Sequence, residues 1–190
     1  MLDDEIARIV DDLFALLASR RIDYLLVGGI ALLNYVQGRN TEDIDLILAL
    51  PDLERLPELQ IESQDRDFAR ASFRGLRVDV LLTQNKWFDL VRREHAAKND
   101  FGGRRISVVT PEGLILLKFY ALPSLYRQGN FERVALYETD LTLLLHKYPM
   151  SVESVLTSLR LHLAEADLES LRDIYGEIER RIRRYPAGQS

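Results

Sequence analysis

Residues 22–48, IDYLLVGGIALLNYVQGRNTEDIDLIL, decide the fold of this chain. An apolar run at residues 24–27 stops at a pair of glycines, and a compact apolar stretch at residues 30–36 follows. The pattern predicts a strand, a tight glycine turn, a short helix and a second strand. The second strand, residues 43–48, carries two acidic residues where apolar side chains are expected.

The two acids of that strand, Asp43 and Asp45, share one face because side chains alternate along a strand. Two like charges about 4 Å apart repel by about 4 kcal/mol at an effective dielectric constant of about 20. A divalent cation would remove this repulsion, and magnesium is commonly held by one or two carboxylates together with substrate phosphates. The Asp-x-Asp pattern alone is also typical of a solvated strand edge.

The glycine pair, Gly28 and Gly29, favours a binding site. Glycine lets the backbone approach a ligand closely. A helix that begins after such a turn presents N–H groups that can hold a phosphate oxygen. A phosphate turn near a pair of acids is rarer than either feature alone, and together they indicate a site for a metal and a phosphorylated ligand.

Two further charges stand out in apolar surroundings. Asp79 is the only acid of the predicted strand at residues 77–82, where it shares a face with Arg77, and a surface strand with an ion pair would explain it equally well. Lys118 is the only charge in the apolar run at residues 114–122, and a lysine can extend from such a face to solvent.

The motif of residues 27–46, in which thirteen residues separate the glycine pair from Asp43, resembles the core motif of the nucleotidyltransferase superfamily typified by DNA polymerase beta. Residues 39–46 are similar to the branch that contains AbiEii-type toxins and minimal nucleotidyltransferases. The resemblance implies that Asp43, Asp45 and Asp79 hold Mg²⁺ and are the catalytic residues. It also implies transfer of a nucleoside monophosphate from an NTP to an acceptor.

The same resemblance implies a set of nucleotide-binding residues: Gly28, Gly29, Arg39, Thr41 and Lys118. The family often has Lys-Asp where this chain has Tyr137-Glu138, so no catalytic role is assigned to Glu138. Asp140 is expected to cap a helix or to pair with Lys118 or Arg127.

The acceptor is left open among an RNA end, a protein and a small molecule. A protein partner is considered, with the chain as the toxin of a toxin–antitoxin pair. The alternative hypothesis is a binding module that keeps the fold but has lost catalysis, and acts as a regulatory or antitoxin-type partner.

Composition narrows the class of protein. The chain has 190 residues, 47% of them hydrophobic, with a formal charge of −5 and no cysteine. This charge argues against a surface coated for non-specific nucleic-acid binding, and disulfide chemistry is excluded. The N-terminus is acidic, unlike a signal peptide, and no apolar run reaches the roughly 20 residues that a bilayer requires. A cytoplasmic location without membrane contact is therefore predicted.

The predicted fold class is α/β (α+β), with a small mixed sheet of the nucleotidyltransferase type flanked by helices. Residues 1–110 would form the core, residues 111–185 a helical part packed on it, and residues 186–190 a frayed tail. Within this scheme a helix is predicted over residues 86–98 and a loop over 62–67, and Pro123 is expected to end or kink its helix.

Overall fold

The computed structural model describes residues 4–37, 41 and 43–184. The chain divides into two compact units, Met1–Thr110 and Pro111–Ser190. The first unit combines helices and strands in this order: α1 Asp4–Ser19, β1 Tyr24–Val27, α2 Gly28–Leu32, β2 Ile44–Leu48, α3 Leu50–Glu54, β3 Gln60–Gln64, β4 Phe68–Phe73, β5 Leu76–Leu82, α4 Lys86–Glu94, β6 Ala96–Phe101 and β7 Arg104–Val109.

The strands form one seven-stranded sheet in the order β3-β4-β5-β2-β1-β7-β6. β2 runs parallel to β5 and β1 parallel to β7, while the other neighbours are antiparallel. The sheet is therefore mixed, as predicted, although it has more strands than the small sheet that the sequence suggested. Its centre is made of β5, β2 and β1, which are the strands that carry the predicted acids and end at the glycine pair.

The two faces of this sheet differ in burial, and β5 shows the difference most clearly. Val78 and Val80 are fully buried on one face, whereas Arg77 and Asp79 alternate with them on the other and are only partly buried. Helix α1 covers the apolar face, where the Phe14 ring stacks on Tyr24 with ring centroids 5.9 Å apart. The apolar face thus packs against α1, whereas the opposite face is polar only in part, since Ile47 on that face is fully buried.

The second unit is helical, as predicted, and consists of α5 Pro111–Arg127, α6 Phe131–Lys147, α7 Val152–Leu159 and α8 Glu165–Arg184. The Phe119 ring of α5 stacks on Tyr175 of α8 at 6.0 Å between ring centroids, which joins the first and last helices of the unit. Within the described part of the chain, no helix combines the length and the apolar character that crossing a membrane requires.

Three local predictions were wrong in part. Residues 96–98 do not continue α4 but begin β6, because pairing with β7 satisfies their backbone in a hairpin that turns at Gly102-Gly103. Residues 62–64 belong to β3 instead of a loop. Pro123 was expected to end or kink its helix: it does not end it, since α5 continues to Arg127, and the kink stays a prediction. The missing N–H of this proline costs one helical hydrogen bond, and the burial of Leu122 and Pro123 keeps the helix intact around it.

Candidate active site

The register of β2 and β5 brings two of the predicted acids together. Asp45 is the direct partner of Asp79 in this parallel pair, so both side chains leave the same face of the sheet from strands about 4.8 Å apart. Asp43 lies just before β2 and is also near, because one guanidinium contacts both Asp43 and Asp79. Asp43 and Asp45 therefore converge on one polar face with Asp79, which is distant from them in sequence.

Arg77 is the counter-ion of this acid cluster. Its Nη2 lies 2.8 Å from Asp43 Oδ2 and donates a hydrogen bond of 3.0 Å to Asp79 Oδ2. Partial burial lowers the pKa of Arg77, but the charge and hydrogen bond of Asp79 and the charges of Asp43 and Asp45 outweigh this effect and raise it overall. The repulsion between the acids is thus offset from within the chain.

A second arginine, Arg70, borders the cluster and was missed by the sequence reasoning. It is the direct partner of Asp79 in the antiparallel pair of β4 and β5, and its Nε lies 3.5 Å from Asp79 Oδ1. The alternating pattern of residues 68–73 was a weak signal for Arg70, since alternation cannot tell which residue of another strand lies opposite.

The glycine pair makes room for two of the predicted site residues. Gly28 has φ +67°, and a Cβ added to it would lie 1.8 Å from Asp45 Oδ2. A Cβ at Gly29 would lie 2.5 Å from Thr41 Oγ1. Glycine is required here because the Asp45 carboxylate and the Thr41 hydroxyl occupy the space of the missing side chains. Arg39, the remaining predicted residue of this loop, lies outside the described residues.

The donor set suits a hard cation, but its present arrangement does not hold one. Among residues 4–37, 41 and 43–184, no group of three or more acidic, histidine or cysteine side chains is placed to bind a metal ion. Three carboxylates on neighbouring elements provide the oxygen ligands that magnesium prefers. Two of them are paired with Arg77, so a cation would have to displace this guanidinium.

Lys118 lies in the second unit and is engaged within it. Its Nζ donates a 2.8 Å hydrogen bond to Asp140 Oδ2 and lies 4.2 Å from the centroid of the Tyr137 ring. The side chains of Lys118 and Asp140 are 6% and 0% exposed. The predicted ion pair between Lys118 and Asp140 is therefore present. The contact between Lys118 and a triphosphate stays a prediction.

Solved structures with a similar fold support the resemblance seen in the sequence. No protein-family model and no curated protein matches this chain. An antigenic nucleotidyltransferase-like protein from Paracoccidioides brasiliensis is 19% identical with a TM-score of 0.53, over 89% of this chain and 92% of that one. The antibiotic-resistance factor ANT(2″)-Ia is 16% identical with a TM-score of 0.61, over 96% and 100%.

The Megavirus polyadenylate synthase is similar as well, at 16% identity and a TM-score of 0.50, over 77% of this chain and 31% of that one. At these identities the likeness concerns the fold. The chain has a nucleotidyltransferase-like fold, which confirms the predicted fold class. The similarity to the AbiEii branch stays a prediction.

Replacement of Gly28 by alanine tests how tightly Asp45 is seated. Gly28→Ala should reduce the free energy of unfolding by more than the roughly 1–3 kcal/mol of backbone strain alone, because its Cβ would overlap the Asp45 carboxylate. Gly75→Ala is the matched control, since Gly75 also has a positive φ, +84°, with nothing within 4 Å of the added Cβ. If urea denaturation shows that the two variants lose the same free energy of unfolding, the close contact between Asp45 and Gly28 is contradicted.

Replacement of Lys118 tests its structural role. Lys118→Met should cost about 3–5 kcal/mol of unfolding free energy, because it leaves Asp140 buried without its counter-charge, and the double variant Lys118→Met/Asp140→Leu should recover part of the loss. Lys147→Met is the control, since Lys147 also lies over a tyrosine ring but is exposed. Denaturation that leaves Lys118→Met as stable as the control would argue against the pair.

Proposed function

We propose that this protein is a Mg²⁺-dependent nucleotidyltransferase that transfers a nucleoside monophosphate from an NTP to an acceptor hydroxyl. The observation that carries the proposal is the direct pairing of Asp45 with Asp79 on neighbouring strands. The Asp45 carboxylate also lies where a side chain at Gly28 would be. A structural role alone does not require three carboxylates on one sheet face. The nucleotidyltransferase-like fold gives the same chemistry a precedent.

In the proposed reaction the acceptor oxygen attacks the α-phosphorus of the NTP. A bond forms between these two atoms, the bond from the α-phosphorus to the bridging oxygen of the β-phosphate breaks, and pyrophosphate leaves. Asp79 accepts the proton of the acceptor hydroxyl. Mg²⁺, held by Asp43, Asp45 and Asp79, would supply positive charge to the phosphoryl oxygens and to the attacking and leaving oxygens.

The nucleotide is assigned to the glycine side of the acid cluster. Backbone N–H groups at Gly28 and Gly29 would hold phosphate oxygens, and Thr41 lies against this turn. Arg39 and Lys118 are included among the nucleotide-binding residues because the family resemblance implies that role. For Lys118 the proposal requires that the lysine leave Asp140, its partner in the buried pair.

The acceptor is an RNA end, a protein or a small molecule. Among structures of similar fold, one holds adenylyl-2″-tobramycin, and another is a polyadenylate synthase. These proteins show that one fold serves acceptors of different chemistry, so the fold alone does not choose the acceptor of this chain.

The second candidate is a binding module without catalysis, which would act with a protein partner as in a toxin–antitoxin pair. The observation that favours it is Arg77, which contacts two of the three acids. If this guanidinium cannot be displaced, no cation binds and the chain retains only its fold. The two experiments below separate the candidates.

Nucleotidyl transfer is the direct test. Incubation with α-labelled NTPs, Mg²⁺ and total RNA or cell lysate should move label to an acceptor. Asp45→Asn and Asp79→Asn should each reduce this transfer by at least about 100-fold, because each removes a preorganised charge from the site. Asp173→Asn, at an exposed position of α8, is the control and should transfer normally. Full activity in the Asp45 and Asp79 variants would rule out the proposed site.

Removal of Arg77 tests whether the acids can accept a cation. Without metal, Arg77→Gln should lower the Tm by about 2–4 °C, the shift expected for about 1 kcal/mol in a chain of this size, because the acids lose their counter-ion. Added Mg²⁺ should then raise the Tm of this variant more than that of the wild type, since binding to the folded state stabilises it.

Arg66→Gln is the control for the charge change, because the Arg66 side chain is 83% exposed and lies 4.0 Å from its acidic partner. An equal Mg²⁺-dependent shift in all three proteins would show that Arg77 does not compete for the acids. No shift in any of them would favour the binding module.

A further inference from the structure

We infer that Arg70 and Arg77 form an anion-binding subsite for the acceptor, and that the acceptor hydroxyl belongs to a nucleoside phosphate, either a free nucleotide or an RNA end. The inference rests on the proposed function and names its acceptor class. It is carried by the order of the glycine turn, the acids and the arginines across one face of the sheet, together with the in-line geometry of phosphoryl transfer.

The groups of the site follow one another across neighbouring strands. Gly28 follows the last residue of β1, and Asp45 lies on β2, the next strand. Asp79 follows on β5, and Arg70 lies opposite it on β4. The acid cluster is therefore flanked by the glycine turn on one side and by an arginine on the other.

Transfer of a phosphoryl group places the attacking and leaving oxygens roughly in line on opposite sides of the phosphorus. If the triphosphate lies on the glycine turn, pyrophosphate leaves on that side. The acceptor must then approach from the side of β5 and β4, where Asp79 can accept its proton. Arg70 is the first residue beyond Asp79 in that direction, so it is placed to contact the acceptor.

The charges on that side suit an anion. The side chains of Arg70 and Arg77 are 51% and 42% exposed, so both guanidinium groups reach solvent while they pair with Asp79. Once a cation neutralises the carboxylates, both groups can turn to a phosphate, for which the forked donors of arginine are well suited. The same two charges repel a polycationic acceptor such as an aminoglycoside.

An exposed aromatic ring lies beside these arginines. Phe68 is on the same face of β4 as Arg70, two residues away, and is 48% exposed. Its ring meets Phe88 in a T-shaped contact at 5.4 Å between centroids, which helps to fix it. Proteins that bind single-stranded nucleic acid combine stacking aromatic rings with positive groups along the backbone, and Phe68 with Arg70 is such a combination next to the acids.

Binding can be measured without catalysis. Fluorescence anisotropy of a short fluorescein-labelled oligoribonucleotide with a free 3′ hydroxyl, in Mg²⁺ and a non-hydrolysable NTP analogue, gives its Kd. Competition with adenosine monophosphate and with tobramycin compares acceptor classes. Arg70→Gln should weaken oligoribonucleotide binding by about 10-fold, the loss expected for one or two phosphate contacts, and reduce its salt dependence.

Arg66→Gln removes the same charge from the turn before β4 and is the matched control, with an expected Kd close to that of the wild type. Arg70→Lys should bind with intermediate affinity, because it keeps the charge but loses the fork, and Phe68→Ala should also weaken binding. A thermal unfolding curve of each variant checks that the variant is folded. Binding of the NTP analogue itself should be unchanged in Arg70→Gln.

The outcomes separate the inference from the proposed function. Competition by adenosine monophosphate supports a free nucleotide as the source, and its failure supports an RNA end. Equal Kd values for Arg70→Gln and Arg66→Gln, or transfer to tobramycin without oligoribonucleotide binding, overturn the inference while the nucleotidyltransferase stands. Absence of NTP binding together with absence of transfer to any acceptor overturns both.

Discussion

Three carboxylates on one sheet face cannot lie close together without a positive charge among them, and this constraint governs the polar side of the first unit. The chain meets it with Arg77, which contacts Asp43 and Asp79. The sequence predicted a metal ion in this place. Arg77 is partly exposed, and solvent weakens exposed ion pairs. In the proposed function a divalent cation would take the place of Arg77 at these acids.

The second unit uses similar charges for the opposite purpose. Lys118 and Asp140 are almost completely excluded from solvent, so each has lost its hydration, and a triphosphate that drew Lys118 away would have to compensate for the loss of this pair. This pair joins α5 to α6, whereas the Arg77 side chain is 42% exposed. Because solvent weakens an exposed ion pair, separating the buried pair is the more costly of the two changes that the proposed function requires.

The glycine pair leaves room for neighbouring side chains, and in the proposed function the same turn also binds phosphate. Its positive φ at Gly28 and its missing side chains admit Asp45 and Thr41, so the turn is already required by the chain itself. In the proposed reaction the same backbone would also hold phosphate oxygens. A substitution of Gly28 would therefore disturb the position of the Asp45 carboxylate before it affected any ligand.

The sequence by itself determined the elements that depend on local patterns: the strand before the glycines, the acids sharing a face, and the helical second half of the chain. It did not determine that residues 96–98 are a strand or that Arg70 lies beside Asp79. Both depend on pairing with the next strand of a hairpin, and alternation along one strand carries no information about the register of its neighbour. The tertiary structure decided that register, and with it which charges meet.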